Sequence, residues 1–188
     1  MKWVRKFFLV LIVVYLIIGA LLYFIQDSII FNAKPLSEDH QFSFDQPYEE
    51  LNLPFNNDNL NIVKFRAESP RKGIVLFFHG NTDNVEHYKK YPSFFLKNGY
   101  DLWMMDYPGY GKSTGKRTEK IIYEEALLMY DVASKEINAD SIVVYGKSLG
   151  TAIASYLAAN KACKQLILEA PYYSMLSLAK HYAQIYPV

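Results

Sequence analysis

The sequence predicts an α/β fold, a mostly parallel sheet covered by helices on both faces, preceded by one transmembrane helix. Three observations predict it. From Gly73 onward, short continuous apolar runs alternate with helix-length segments, as buried parallel strands joined by crossover helices do. Each run ends in Gly, Pro and polar residues, where ligands gather in an open α/β sheet. Ahead of all this, residues 7–25 form an apolar stretch without a single charge.

That stretch is the first element. As a helix it spans about 28 Å, close to the ~30 Å hydrocarbon core of a bilayer. Lys2, Arg5 and Lys6 precede it and Asp27 follows, so the positive-inside rule places residues 1–6 in the cytoplasm and the rest outside it. A cleaved secretory signal is the alternative, but the run exceeds a typical apolar region of about 7–15 residues and no A-x-A-like site follows. Residues 26–46 are polar, with no helical or strand periodicity, and read as a tether of limited structure.

Next come paired strand signals at 48–53 and 60–66 around a turn at 54–59, expected as an antiparallel edge hairpin. The apolar runs follow at 74–78, 102–105, 142–145 and 166–168. Helices are expected at 85–98, 118–137 and 149–160. Gly99 closes the first, Thr118 caps the second, and Ile121, Ile122, Leu128 and Val132 supply its apolar positions.

Composition narrows the function. The chain has 188 residues, 51% hydrophobic and 21% charged, which excludes a disordered or collagen-like protein. Twenty Lys plus Arg against nineteen Asp plus Glu leave a net charge of +1, so nucleic acid is not an expected partner. The single cysteine, Cys163, excludes an internal disulfide and reads as a small packing residue. No Cys/His cluster has metal-site spacing, and neither a metal nor a cofactor is expected.

The chemistry gathers at the strand ends. Gly146-Lys147-Ser148-Leu149-Gly150 is a G-x-S-x-G pentapeptide, the signature of a nucleophilic serine on a sharp strand-to-helix turn. The apolar run before it and the small-residue helix after it are the context this turn needs. Ser148 would then sit at a helix N-terminus, where free amides favour developing negative charge. The backbone N–H of Leu149 is one expected oxyanion donor, and that of Asn81, in His79-Gly80-Asn81, is the other. His79 reads as a structural histidine of that loop rather than a base. A phosphate loop is the competing reading of the G-K-S triplets at 111–113 and 146–148, yet G-x-x-x-x-G-K-[ST] needs glycine at Asp106 or Ser141. Residues 106–113 read instead as a tight turn beneath the active-site face.

With these residues in view, the chain resembles the α/β-hydrolase fold, and within it membrane-anchored serine hydrolases related to the Bem46-like proteins and the serine-aminopeptidase-like group. The resemblance rests on H-G-N at 79–81, D-Y-P-G-Y-G-K-S-T-G at 106–115, Y-G-K-S-L-G at 145–150 and L-E-A-P-Y-Y-S at 168–174, in family order and spacing. Thr82-Asp83 departs from the small residues common beside this loop in relatives. The resemblance implies a hydrolase of ester, thioester or amide bonds, acting on an acyl-containing small molecule, lipid or peptide, with Ser148 as nucleophile. It also implies an acid and a histidine later in the chain. After Ser148 come only Glu169 and His181, expected as a strand-end carboxylate and a helix-surface imidazole, so the acid and base are expected to be missing, residues 47–188 to be a partial hydrolase domain, and the 188-residue chain itself to show little or no turnover. A noncatalytic binding protein or an inactive fragment is the rival reading. Tyr172 and Tyr173 are expected in ordinary packing, and Lys147 against the surrounding loops.

Overall fold

A computed structural model describes residues 2–68, 70–174 and 177, with the backbone alone for 26–30. The chain divides into two compact units, one containing the N-terminal helix and the other formed by residues 33–172.

The helix, α1, runs Lys2–Ile30, five residues past the end of the apolar run. Its side chains from Phe7 to Ile25 are exposed on nearly every side. Lys2–Ile25 is long and apolar enough to cross a membrane, with a mean hydropathy of 3.0 over its best window.

The second unit is built on a six-stranded sheet. Its strands are β1 (Glu49–Phe55), β2 (Asp58–Phe65), β3 (Gly73–Phe78), β4 (Tyr100–Met105), β5 (Ile142–Lys147) and β6 (Gln165–Glu169). Their spatial order is β1-β2-β4-β3-β5-β6. β1 and β2 form the expected antiparallel edge hairpin, and β4, β3, β5 and β6 run parallel. The hairpin turn is tighter than the six residues anticipated: the ladder continues through Pro54↔Asn59 and Phe55↔Asp58. Asn56 and Asn57 make the whole turn, at φ 50° and 67°. Asparagine tolerates this left-handed region, and such two-residue turns match the twist of the strands. Pro54 fits because an edge strand can lack one donor.

Helix α2 (Tyr91–Lys97) packs beside β4, while α3 (Glu119–Ala133) and α4 (Gly150–Asn160) pack together and against β3 and β5. The single helix expected at 85–98 is split into a 3-10 turn, Val85–Tyr88, and α2. Pro92 explains the break, since it suits the first turn of a helix and no later position. Gly99 closes α2 at φ 83°, and the Thr118 hydroxyl caps α3 by accepting from the Ile121 amide at 3.2 Å. Along the strands both faces are buried: Val63, Phe65, Val75, Phe77, Leu102 and Met104 join one apolar cluster, and the alternate residues Ile62, Leu76, Phe78, Trp103 and Met105 are also buried. Removing such a side chain costs about 2–5 kcal/mol.

The expected tether is not loose where it enters this unit. Leu36 N–H donates to the Gly111 carbonyl at 2.7 Å and Gly111 N–H to the Lys34 carbonyl at 3.0 Å. Phe42 is buried, with Phe44 and Tyr48 beside it and Phe44 edge-on to Phe65 at 4.9 Å. Phe42 and Phe44 are two aromatics in an otherwise polar stretch, too few to set a period, which is why the sequence hid them.

Candidate active site

β5 ends at Lys147 and α4 begins at Gly150, so the chain reverses within Ser148 and Leu149. Ser148 sits at φ 49°, a left-handed conformation that costs a residue with a Cβ about 1–3 kcal/mol. The surroundings hold it there. Ser148 N–H donates to the Glu169 carbonyl at 2.8 Å, and the Ser148 carbonyl accepts from the Thr151 amide at 2.9 Å and the Thr151 hydroxyl at 2.6 Å. The glycines are sterically required: a Cβ on Gly146 would lie 2.4 Å from the Gly150 carbonyl oxygen, and one on Gly150 would lie 2.0 Å from that of Phe78. Leu149, with helical φ and ψ of −49° and −43°, occupies the N-cap position of α4.

Loop 79–81 follows β3 and lies against this turn, since a Cβ on Gly80 would come 3.6 Å from the Ser148 Cβ. Its backbone is tied by side chains. Tyr107 OH donates to the His79 carbonyl at 2.6 Å, Tyr110 OH donates to the Asn81 carbonyl at 3.0 Å, and Gly80 N–H donates to Tyr88 OH at 3.0 Å. Burial pushes the Tyr110 hydroxyl up to about 12 and the fully buried Tyr107 hydroxyl well above its ordinary value, so both keep the proton they donate. His79 Nδ1 lies 2.7 Å from the Gly80 carbonyl oxygen, which can only accept, so Nδ1 carries a proton. Its Nε2 faces Asp106 Oδ1 at 3.4 Å, and both residues are fully buried. Burial raises the Asp106 carboxyl above its ordinary value, against the pull of the His79 ring. His79 therefore braces the loop.

Residues 106–113 do form a tight turn, with Tyr110 N–H donating to the Tyr107 carbonyl at 2.8 Å and Ser113 N–H to the Tyr110 carbonyl at 3.0 Å. Tyr107 and Tyr110 reach from it directly to loop 79–81. Its G-K-S residues are engaged elsewhere: Lys112 Nζ pairs with Glu50 at 2.9 Å and Ser113 Oγ accepts from the Asn61 amide at 2.9 Å.

Glu169 belongs to a cluster that sequence reading missed. Its carboxylate accepts from Lys147 Nζ, from Tyr91 OH at 2.7 Å and from Tyr145 OH at 2.5 Å. Burial opposes its charge, but these three hydrogen bonds outweigh burial and hold the carboxyl below its ordinary value. Lys147 is raised by the same pair despite its own burial. The available signal was register alone, because two strand-end residues of opposite charge become neighbours once β5 and β6 pair in parallel.

The three described histidines each have other partners. His40 meets Glu86 at 3.0 Å, His79 is as above, and His87 is exposed with its ring edge-on to Tyr88. His181, expected as a helix-surface imidazole, lies outside the described residues. Tyr173 is 97% exposed, so it does not pack as expected, whereas Tyr172 is half-buried.

A mostly parallel sheet with a serine elbow at the end of β5, flanked by the strand-end loop after β3, is the arrangement of the α/β-hydrolase fold. A sequence profile of the Hydrolase_4 family, Serine aminopeptidase, S33, matches residues 69–186, and the chain belongs to that family. It is 34% identical over 117 residues to the Multifunctional-autoprocessing repeats-in-toxin of Vibrio cholerae, covering 58% of this chain and 3% of the toxin. It is 29% identical over 124 residues to the Lysophosphatidylserine lipase ABHD12 of Danio rerio, covering 62% of this chain and 31% of the lipase. An alpha-beta hydrolase structure from Vibrio vulnificus superposes with a TM-score of 0.62 at 26% identity, over 75% of this chain and 51% of the other. The chain thus spans about a third or less of these curated relatives and about half of the solved structure.

Proposed function

We propose that this protein is a membrane-anchored serine hydrolase that cleaves an acyl ester, thioester or amide with Ser148 as nucleophile. The carrying observation is the elbow itself, a serine held at positive φ at the start of α4 with loop 79–81 packed against it. Ser148 Oγ attacks the acyl carbonyl and loses its proton to a general base. The amides of Leu149 and Asn81 take the oxyanion. Collapse expels the alcohol, thiol or amine, and water then releases the acyl group from Ser148.

The lipase name of one relative and the apolar helix α1 together favour a lipid ester over a soluble peptide. In this reading residues 7–25 insert in the bilayer and the hydrolase unit lies outside the cytoplasm. The test uses protein extracted with detergent from its host's membranes, treated with a fluorophosphonate probe and assayed with medium-chain p-nitrophenyl esters. The expected result is a single label on Ser148, with Ser148→Ala losing the label and at least about a thousandfold in turnover. Wild-type protein that neither labels nor turns over would give first place to a noncatalytic binding role.

A further inference from the structure

The geometry points to Lys147 and Glu169 as positioning residues that clamp the nucleophile elbow, an inference resting on Ser148 as the nucleophile. Among the described residues β6 has one ladder neighbour, β5, and the last rung between them is Lys147↔Glu169. The next residue on each strand, Ser148 and Ala170, is left-handed, at φ 49° and 52°. Two such residues side by side persist only where their surroundings over-determine them.

Glu169 supplies that over-determination. Its carbonyl takes the Ser148 amide at 2.8 Å, while its carboxylate takes the ammonium of Lys147, the residue just before the nucleophile. Tyr91, from α2, and Tyr145, two residues back on β5, fix the carboxylate in turn. One residue therefore grips the elbow by its backbone and by the preceding side chain. Oε1 accepts from Lys147 and Oε2 from both phenols. The clamp acts through Ser148 and touches no substrate.

The test is the rate at which the detergent-extracted full chain reacts with the fluorophosphonate, at a temperature where circular dichroism shows every variant folded. Lys147→Met and Glu169→Gln should each slow labelling on the order of tenfold, within the hundredfold that a 1 Å misplacement can cost. The double variant should be no slower than either single, and Lys147→Arg should recover most of the rate. Lys147→Gln replaces the methionine variant if that one does not fold. Labelling of Lys147→Met at the wild-type rate overturns the clamp, as does loss in Glu169→Gln alone, the pattern of a triad acid. If wild-type protein does not label at all, the hydrolase reading fails and the clamp is judged by hydrogen exchange. Faster exchange of the Ser148 and Leu149 amides in Lys147→Met then upholds it, and unchanged exchange overturns it.

Discussion

Gly150 and Gly80 flank Ser148 from two directions, and a methyl group added to each meets different neighbours. At Gly150 the new Cβ would lie 2.0 Å from the Phe78 carbonyl oxygen and 2.7 Å from that of His79. Both are backbone atoms at the end of a central strand, so the helix and the sheet must separate. Gly150→Ala should destabilise the protein by about 3 kcal/mol, the upper end of ordinary overpacking, seen as a fall in its thermal midpoint. At Gly80 the nearest atom is the Tyr88 hydroxyl oxygen at 2.9 Å, the end of a side chain that can give way. The adjustment there falls on loop 79–81. Gly80→Ala should lower Ser148 labelling about tenfold or more while shifting the thermal midpoint by only a few degrees. A midpoint drop like that of Gly150→Ala would show that the loop braces the core instead.

Helix α3 shows what periodicity reveals and what it conceals. Its start is legible, because Thr118 caps it as the sequence predicts. Its buried face is less so: Ile122, Glu125, Ala126, Met129, Tyr130 and Ala133 face inward, whereas Ile121, Leu128 and Val132 are only half-buried. A carboxyl in the middle of the stripe disguised it. The strands were readable because burial on both faces makes each one a continuous apolar run, and the elbow because its steric demands leave glycine little substitute. The Lys147–Glu169 cluster was not readable, since a contact between distant residues depends on register. The buried Glu125 has a measurable consequence. It is 1% exposed, its Oε2 has no hydrogen-bond partner, and burial, with Asp58 nearby, pushes its carboxyl up to about 8. The folded state holds this proton more tightly than the unfolded chain does, so the group's contribution is complete below pH ~4.5 and is lost as pH rises to about 8. The slope is at most about 1.4 kcal/mol per pH unit. Thermal midpoints from pH 5 to 9 should fall in the wild type and flatten in Glu125→Gln; parallel curves would mean that Glu125 ionises freely in the fold.

On the scale of the whole molecule, the proposed membrane anchor carries its own prediction of the side on which the hydrolase unit lies. Lys2, Arg5 and Lys6 stand at its N-terminal end, and from there to Ile25 no charge interrupts it. Moving three cations across a bilayer is unfavourable, so in the proposed topology the N-terminus is expected inside and residues 33–172 on the other face. Cys163 makes this testable, because it is the one cysteine in the chain and sits just before β6, half-exposed. Burial raises its thiol above the ordinary value, so a membrane-impermeant maleimide should be applied at about pH 8.5, where more of the thiol is ionised than at neutral pH. Sealed cells or spheroplasts should then label at Cys163 without lysis, and Cys163→Ser should abolish the signal. Labelling only after lysis would place the unit in the cytoplasm and reverse the helix. Because the thiol lies on the unit that carries Ser148, that one reagent also decides which compartment's acyl compounds Ser148 could meet.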